Sequence, residues 1–441
     1  MEKSVIADSA DNRLPVRAKN DTSLVHPRFG DLTDHRTVVL PKSGNRGFAF
    51  VERPVSFIHL SVTGRCFARC KGCINAAVTH GYRGDRSDIV PIREADPVRD
   101  AACIVNLLQG GIDRDEAVIC FYGGEPLLAT AIMDEVVQRL YRAGLEKTLR
   151  YMLYTNGDLL ARAVNDHPDL MKSFWLTSVS IDGRKKQHEA IRLGTSLDKI
   201  RAGLVALQPI RKGHVLMWST LREEQSLTDC FEEFMDLHGK GLVDQFFWHW
   251  AEIAEPFIRL EDYARGYEAD LRSVMDVYLS WLESDRILPV THLNELVLYL
   301  LTGKDRGSSA CGIEKNENFD LMDGAIHACA DLPPDYAIGS IDADGTPRFK
   351  TFDFSPLVAY KNDLGCRACG MHKYCGGRCP VQAFTHGTER LRQYCQLMRL
   401  HAAVVMEYLP AIEAALVSGC LGLQDLYDQS AFYAQFTDVT P

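Results

Sequence analysis

The chain has 441 residues, of which 46% are hydrophobic and 24% charged, so two or three folded domains are expected and wholesale disorder is excluded. The 49 basic and 59 acidic residues give a net charge of −10, which argues against a scaffold that binds nucleic-acid phosphates. The first residues, MEKSVIADSADNRLP, lack the apolar core of an export signal, and no run of 18 apolar residues occurs. We therefore expect a cytoplasmic protein with no membrane span. Its 14 cysteines would then stay reduced, and their clustering suggests metal binding.

Short apolar or β-branched segments alternate with helix-length segments from about Val55 onward. Six strands are predicted, over Val55–Val62, Ala117–Tyr122, Tyr151–Tyr154, Leu176–Ile181, His214–Thr220 and Val243–Trp250. Between them, Ile132–Ala143 has apolar residues at helical spacing. This alternation predicts an α/β fold with a parallel sheet, open or curled into a partial (β/α)6 barrel.

The pattern changes after about Pro256. Tyr263–Leu282 and Leu293–Leu301 are predicted helices, and Gln396–Leu416 is a third that Pro410 should kink or interrupt. The segment Cys311–Cys395 holds seven cysteines with little hydrophobic periodicity, so we expect little regular structure there and inorganic clusters that tie it together. The predicted division is an N-terminal arm or covering segment (1–50), the partial barrel (51–256), a helical linker (257–307), the cysteine-rich domain (308–400), and a C-terminal helix and tail (401–441).

Cys66, Cys70 and Cys73 directly follow the first predicted strand, where α/β folds build active sites. Two interpretations have similar weight on these residues alone. One is a structural zinc site with His80 as the fourth ligand. The other is an iron–sulfur cluster held by three cysteines, which leaves one iron open to another ligand.

Polar motifs end the next three strands. Tyr122-Gly-Gly-Glu-Pro126 ends the second, Tyr154-Thr-Asn-Gly157 the third and Ser180-Ile-Asp-Gly183 the fourth. Glycines let the backbone approach a ligand closely, and a carboxylate can receive an ammonium group. A single GGEP would favour an ordinary turn, but consecutive polar strand ends on one rim predict a lined pocket.

These motifs in this order, with His188 and Arg192 after SIDG, resemble the radical S-adenosylmethionine (SAM) enzymes over roughly 55–256. The resemblance implies that Cys66, Cys70 and Cys73 hold a [4Fe–4S] cluster whose open iron binds the cofactor's methionine end. It further implies a cofactor-binding set: Gly123, Gly124, Glu125 and Pro126 at the methionine amino group, and Ser180, Asp182, Asn156 and Arg192 at the ribose or carboxylate. The residue before the third cysteine, often aromatic in this family and in contact with adenine, is Gly72 here.

The downstream cysteines resemble the SPASM extension of that family, whose members bind two auxiliary [4Fe–4S] clusters; a pair of zinc knuckles is the alternative. The family pattern implies one cluster on Cys366, Cys369, Cys375 and Cys395, and another on Cys311, Cys329 and Cys379. Two clusters need eight ligands, so either a residue outside the motif completes the second cluster or one iron is open, and we favour the open iron. Four cysteines are left over and are interpreted as buried thiols: Cys103, Cys120, Cys230 and Cys420.

The resemblance implies an oxidoreductase with three [4Fe–4S] clusters that cleaves SAM to a 5′-deoxyadenosyl radical and crosslinks or dehydrogenates a peptide or protein, as in ribosomal peptide maturation. The expected partners are that substrate, a one-electron reductant of the flavodoxin or ferredoxin type, and a separate leader-peptide-binding protein where leader recognition lies outside this chain. A radical SAM dehydrogenase acting on a small molecule, or a non-catalytic iron–sulfur or zinc protein, are the alternatives. Asp331 is a candidate base, one residue beyond the family's aspartate position, which Ala330 occupies. The aromatic run Phe246–Trp250 either lines the cavity or packs in the core.

Overall fold

The computed structural model of the protein describes residues 25–26, 30–31, 49–73, 92–110, 115–315 and 318–437. Within them, six strands form a parallel sheet in chain order: β1 (Ser56–Thr63), β2 (Glu116–Gly123), β3 (Thr148–Thr155), β4 (Phe174–Ser180), β5 (His214–Leu221) and β6 (Gln245–Trp250). All five neighbouring pairs are parallel, as predicted from the alternating sequence. The predicted fold class is therefore confirmed.

Helices connect these strands, and their apolar faces pack on the sheet. They are α1 (Pro97–Gly110), α2 (Thr130–Arg142), α3 (Leu160–Asp166), α4 (Pro168–Ser173), α5 (Lys185–Ile191), α6 (Leu197–Leu207) and α7 (Leu227–Gly239). In α2, for example, Met133, Val136 and Leu140 are buried at helical spacing, as predicted for this segment. Parallel strands joined by helices bring every strand's carboxyl end to one rim.

The sheet continues beyond the predicted six strands. After the helices α8 (Leu260–Glu283) and α9 (Thr291–Thr302), strand β7 (Asn318–Met322) pairs parallel with β1 on its free edge. An antiparallel meander of β8 (Ala325–His327), β9 (Gly339–Ile341) and β10 (Pro347–Phe349) completes a ten-stranded sheet. The cysteine-rich region thus has more regular structure than expected, because strands of three to five residues are too short to show periodicity in sequence.

Short helices carry the remaining cysteines: α10 (Ser355–Val358), α11 (Tyr360–Asp363), α12 (His372–Cys375) and α13 (Pro380–His386). The long helix α14 (Glu389–Ser418) packs along α8, and α15 (Leu423–Gln429) follows it. Pro410 lies inside α14 without ending it, so the expected interruption does not occur. Contacts with α8 near the proline, such as that of Arg272 with Glu407, support the helix where one backbone donor is missing.

Among the described residues, α14 is also the one helix whose length and apolar character would allow it to cross a membrane. A single helix of this kind is weak evidence for a membrane span, because buried core helices have the same properties. The helix carries Arg390, Arg399 and His401 in buried positions. Tyr267 of α8 and His401 hydrogen bond at 2.9 Å. These contacts describe a helix packed inside a folded chain.

Candidate cofactor and cluster site

Backbone hydrogen bonds hold the first cysteine loop, which leaves the carboxyl end of β1. Residues Arg69–Cys70 pair as a two-residue antiparallel strand with Arg192–Leu193. The amide of Lys71 also donates to the carbonyl of Ile191 at 3.0 Å. The loop is thereby tied to the end of α5, on the rim where the sequence placed the pocket.

The three thiols of this loop share one electrostatic neighbourhood. Burial, together with the negative charges of Glu125, Cys73 and Cys70, raises the pKa of the Cys66 thiol to about 12. The three thiols are therefore near enough to influence one another electrostatically, and their joint ligation of a cluster stays a prediction. His80, the fourth ligand of the zinc interpretation, lies outside the described residues.

The two glycines of GGEP lie directly against this loop. The amide of Gly124 donates to the carbonyl of Thr63 at 2.8 Å, and that of Glu125 donates to the carbonyl of Arg65 at 2.9 Å. Gly123 has a φ of +132°, and a Cβ there would lie 2.4 Å from the carbonyl oxygen of Thr63. A Cβ on Gly124 would lie 2.2 Å from that of Arg65. Only glycine permits this close approach of the second strand end to the cysteine loop.

The carboxylate of Glu125 is fully buried and joins two motifs. Its Oε1 accepts from the amide of Leu127 at 3.1 Å and the hydroxyl of Thr155 at 2.7 Å, and its Oε2 accepts from the amide of Asn156 at 2.8 Å. Burial raises the pKa of Glu125 to about 7, against the effect of these three donors. Pro126 begins the short 3₁₀ turn Pro126–Ala129 that follows. The GGEP and TNG motifs are thus one unit, in which Oε2 retains a further acceptor position.

Asp182 of the fourth strand end is the centre of a buried ion network. Both of its oxygens accept from Arg192, at 2.8 and 3.1 Å, and Oδ1 also accepts from the amide of Thr220 at 2.9 Å. Arg222 lies 3.4 Å from Oδ2, and the imidazole Nδ1 of His188 accepts from the amide of Asp182 at 3.1 Å. These contacts orient the two arginines, while direct contact between Asp182 and the ribose stays a prediction. Ser180, the last residue of β4, is half-buried on the same rim.

This network places positive charge beside the cysteine loop. Although burial alone would lower it, the carboxylate of Asp182 and then the thiolate of Cys70 raise the pKa of Arg192. The guanidinium of Arg222 donates to the carbonyl of Gly72 at 3.0 Å. Two guanidinium groups, those of Arg192 and Arg222, thus share the one carboxylate of Asp182 beside the cysteine loop.

The chemistry of this donor set fits a cluster with a small zwitterionic ligand. Three thiols lie beside a backbone cradle that leaves no room for a side chain. The side-chain amide nitrogen of Asn156 is buried on the same rim without a hydrogen-bond partner. An unpaired buried donor of this kind costs about 1–3 kcal/mol unless a ligand accepts from it.

The downstream cysteines fall into two neighbourhoods. Burial, and then the charges of Cys375 and Cys369, raise the pKa of Cys366 to about 12. Burial, and then the charge of Cys375, likewise raise the pKa of Cys395 to about 12; Cys395 is carried by α14. These four thiols are mutual neighbours.

The other three thiols form the second neighbourhood. Burial raises the pKa of Cys379, and the charges of Glu252 and Cys311 add to that effect. Burial and the charge of Asp331 raise the pKa of Cys329, to which Cys379 also contributes. No group of three His, Cys, Asp or Glu side chains in the described part of the chain is arranged around a single metal ion.

Three of the four leftover cysteines match their predicted burial. Cys103, Cys120 and Cys230 have no exposed surface. Cys420 is exposed, so the expectation of a buried thiol is wrong there. It directly follows Gly419, where α14 ends, and its amide donates to Asp285 at 2.7 Å.

Several residues inside the barrel were missed or only partly identified from the sequence. The ring of Trp218 lies 5.6 Å from that of Tyr154 and 5.5 Å from that of His249, and Tyr122 lies on β2 of the same sheet. The indole nitrogen of Trp218, the hydroxyl of Tyr122 and Nδ1 of His249 are buried without hydrogen-bond partners. Alternation along β2, β5 and β6 was the available signal, since every second side chain of a strand faces the same side.

The aromatic run of β6 divides between the two faces of the strand. Phe247 packs on Trp218 with ring centroids 4.8 Å apart, in the same layer as His249. Trp248, on the opposite face, donates to the hydroxyl of Tyr267 in α8 at 3.1 Å. Phe247 and Trp248 thus both pack in the core, and cavity lining by this run stays a prediction.

A family model and a solved structure both match this chain. Residues 57–196 match the family model of a 4Fe-4S single cluster domain. The solved structure of native anSMEcpe with bound AdoMet superposes with a TM-score of 0.59 at 16% identity, and the match covers 83% of this chain and 100% of that chain. The chain therefore has the fold of anSMEcpe, and this likeness supports the resemblance to radical SAM enzymes with a SPASM extension. The resemblance inferred from the motifs is thus confirmed at the level of the fold.

A peptide-bound form of the same neighbour superposes equally well. Native anSMEcpe with bound AdoMet and Cp18Cys peptide has a TM-score of 0.58 at 16% identity, and the match covers 82% of this chain and 99% of that chain. In that structure the peptide is bound by anSMEcpe.

Curated proteins that match about half of this chain are GTP 3′,8-cyclases. The GTP 3′,8-cyclase of Helicobacter pylori (strain ATCC 700392 / 26695) is 24% identical over 208 residues, which are 43% of this chain and 60% of that protein. The GTP 3′,8-cyclase of Peptoclostridium acidaminophilum is 29% identical over 241 residues, 53% of this chain and 61% of that protein. The chain thus matches about 60% of the length of these relatives.

Proposed function

We propose that the protein is a radical SAM oxidoreductase that crosslinks or dehydrogenates a peptide or protein, in the maturation of a ribosomal peptide. The supporting observation is the extent of the structural likeness to anSMEcpe. With and without its peptide, that protein matches more than four fifths of this chain, which is far more than the barrel alone accounts for. A peptide substrate for this chain is part of the proposal.

The proposed cofactor site is built from the rim residues. Cys66, Cys70 and Cys73 would ligate a [4Fe–4S] cluster. When bound there, SAM supplies a 5′-deoxyadenosyl radical that abstracts hydrogen from an unactivated carbon. The remaining acceptor position of Glu125 receives the methionine ammonium group, and Arg192, oriented by Asp182, attracts the methionine carboxylate.

The other rim residues have supporting roles in this proposal. Gly123 and Gly124 bring the second strand end to the cysteine loop. Pro126 fixes the turn after Glu125, and Asn156 offers its unpaired amide donor to the ligand. Ser180 offers a hydroxyl to the ribose.

The two downstream neighbourhoods support two auxiliary clusters, giving three in all. Cys366, Cys369, Cys375 and Cys395 would hold one, and Cys311, Cys329 and Cys379 the other, with one iron open to solvent or substrate. Clusters at these sites would accept the second electron of an oxidation. A one-electron reductant of the flavodoxin or ferredoxin type is the proposed source of the first electron, and a separate leader-peptide-binding protein is the proposed further partner. These reactions suit the reducing cytoplasm.

Asp331 is the proposed acceptor of the substrate proton. Its carboxylate influences Cys329, Cys379 and the phenol of Tyr122, which lies on the barrel strand β2. It therefore lies between the barrel and the three-cysteine neighbourhood. A base at this place can take the proton while the substrate carbon loses its electron nearby.

The decisive experiment begins with anaerobic reconstitution. We expect about twelve irons per chain, and release of 5′-deoxyadenosine from SAM under a reductant. Replacing Cys66, Cys70 and Cys73 by alanine should remove about four irons and stop the cleavage, whereas the matched variant Cys103→Ala should keep both. Zinc in the sites, or cleavage by the triple variant, contradicts the proposal.

A small-molecule substrate is the second candidate, favoured by the name of the curated relatives. The two candidates separate when the reconstituted protein is incubated with SAM and either GTP or a short peptide encoded beside its gene. A peptide product lighter by two hydrogens supports the first function. A GTP-dependent rise in 5′-deoxyadenosine release, with the peptide unchanged, supports the second.

A further inference from the structure

Gly72, the residue before Cys73, has a side-chain position that neighbouring residues already fill. Its φ of +56° lies in the left-handed region. A Cβ built there would be 2.7 Å from Cγ2 and 3.8 Å from Cδ1 of Ile253, and 3.5 Å from Nε of Arg222. The family that the chain resembles often has an aromatic residue at this position. In this chain an apolar side chain and a guanidinium group take its place.

The Nε–H donor of the Arg222 guanidinium has no partner. Its Nη1 donates to the carbonyl of Thr220 at 2.9 Å, to Oε1 of Gln225 at 3.3 Å and to Oδ2 of Asp182 at 3.4 Å, and its Nη2 donates to the carbonyl of Gly72 at 3.0 Å. The side chain is only 6% exposed, and Nε has no hydrogen-bond partner. Because a guanidinium has no acceptor atoms, a molecule that satisfies Nε must present one.

The two side chains are held from different elements. Arg222 directly follows β5, whose residue Thr220 donates its amide to the carboxylate of Asp182. Ile253 follows β6, and its carbonyl accepts from the side-chain amide of Gln382 at 2.9 Å. Neither side chain needs to move far to meet a ligand of the cysteine loop, because both already contact the side of Gly72.

We propose that Arg222 and Ile253 form the nucleobase subsite for SAM in this chain. Arg222 donates from Nε–H to a ring nitrogen of adenine, and Ile253 packs on the apolar face of the ring. A carboxylate suits this place less well, since the sec-butyl group of Ile253 would strip it of water without giving a hydrogen bond in return. A purine combines apolar faces with acceptors on its edge. The inference rests on the proposed function, because it assigns residues to the same cofactor.

The test compares two ligands that share the methionine part and differ in the nucleoside. Equilibrium dialysis with the anaerobically reconstituted, oxidised protein measures the binding of labelled SAM and of labelled L-methionine. In Arg222→Gln, the affinity for SAM should fall roughly tenfold or more, as for the loss of a hydrogen bond from a charged donor, while that for L-methionine stays within about twofold. The control is Arg211→Gln, which removes an arginine paired with Asp244 before the same strand. It should leave both affinities unchanged.

A second variant keeps the test valid if Arg222→Gln loses its fold, which circular dichroism and melting would show. Ile253→Ala should weaken SAM binding by roughly threefold through lost apolar contact and leave L-methionine binding unchanged. Equal loss for both ligands would show that these residues position the methionine end, and unchanged SAM binding would show that they do not touch the cofactor; each result overturns the inference. Failure of the wild-type protein, with its iron in place, to bind SAM would instead contradict the proposed function itself.

Discussion

The two cysteine-rich regions differ in what holds their loops in position. The first loop is fixed by backbone hydrogen bonds to the barrel, such as those from Gly124 to Thr63 and from Lys71 to Ile191. The second region is held largely by buried side chains from distant parts of the chain. Arg378 pairs with Glu252 at 2.7 Å, and Arg306 donates to the carbonyl of Tyr374 at 2.7 Å. The barrel can therefore hold the first loop in its conformation before any cluster is present. The conformation of the second region depends instead on contacts between buried side chains.

Two of the seven thiols of the second region are buried more deeply than the thiols of the first loop. Cys66, Cys70 and Cys73 are each partly exposed. Cys366 and Cys375 are buried and belong to the same apolar core as the barrel strands. Iron bound at the second region, as proposed, would therefore contribute more to folding than iron bound at the first loop.

Removal of iron should produce the largest difference between the two regions. After anaerobic chelation, we expect backbone amides of 355–395 to lose protection by about a thousandfold or more, while those of β1 and β2 change by less than about tenfold. Hydrogen exchange read by mass spectrometry measures both regions in one sample. Equal loss in the two regions would show that the barrel also needs its cluster to fold.

The same substitution in each region should have unequal costs. Arg378→Met leaves the buried Glu252 without its ion-pair partner, and should lower the free energy of unfolding by about 3–5 kcal/mol. Arg192→Met leaves Asp182 with Arg222 and the amide of Thr220, so we expect about half that loss. Denaturant unfolding of the two variants measures the difference. Similar values would indicate that the second arginine of the barrel network does not compensate.

A pair of glycines with nearly the same φ tests the crowding of the second region. Gly376 (φ +62°) would place a Cβ 2.4 Å from the carbonyl of Ser308, whereas Gly144 (φ +59°) has no atom within 4 Å of that point. Gly144→Ala should cost about 1 kcal/mol for its backbone conformation alone. Gly376→Ala should cost about 1–3 kcal/mol more, because backbone must shift. Thermal melting of both variants would contradict the crowding argument if the two midpoints moved together.

A structural feature could be predicted from the sequence when the residues that form it are close together in the chain. Strand order and the rim motifs were predictable because each is a local pattern of the barrel. The extension by β7 to β10 was not, since strands of three to five residues carry too little periodic signal. Arg222 was also missed, because it reaches Gly72 across 150 residues and no motif marks it. Likewise, the three donors that Glu125 accepts from within its own neighbourhood were not predicted.

Acid should lower the free energy of unfolding through two buried histidines, His249 of the barrel and His401 of α14. Burial lowers the pKa of His401, in α14, to about 3, and that of His249, in β6, also to about 3. Above pH 6.5 both imidazoles are neutral whether the chain is folded or unfolded, so they add no pH dependence. Below that value the unfolded chain takes up protons that the folded chain refuses, and stability falls by about 1.4 kcal/mol per pH unit for each histidine until about pH 3.

Unfolding by denaturant between about pH 7 and pH 4 measures this slope. His292→Phe provides a matched variant, since the ring of His292 is buried against Trp248 at 4.0 Å and neither nitrogen has a hydrogen-bond partner. Burial also lowers the pKa of His292. The variant should therefore be less sensitive to acid by the contribution of one histidine, and an unchanged slope would count against a buried neutral imidazole there.

The smallest expected effect concerns Tyr122, which lies where the barrel meets the second region. Its ring packs with Met322 and Ala330 in a small apolar cluster separate from the main core, and its hydroxyl is buried without a partner. Burial raises its pKa, and the charges of Asp320, Asp331 and Cys329 add to this effect. Tyr122→Phe keeps the ring and removes the unpaired hydroxyl, so the free energy of unfolding of the cluster-free protein should rise by about 1 kcal/mol.

A gain in stability at Tyr122 would mean that the hydroxyl is retained for a purpose other than folding. Under the proposed function, in which Asp331 is the base, Tyr122→Phe should then lower the peptide-dependent release of 5′-deoxyadenosine while leaving SAM binding unchanged. Tyr151→Phe on the neighbouring strand is the matched control, and it should change neither measurement. Loss of stability in Tyr122→Phe would show instead that the hydroxyl has a structural role at the boundary between the two regions.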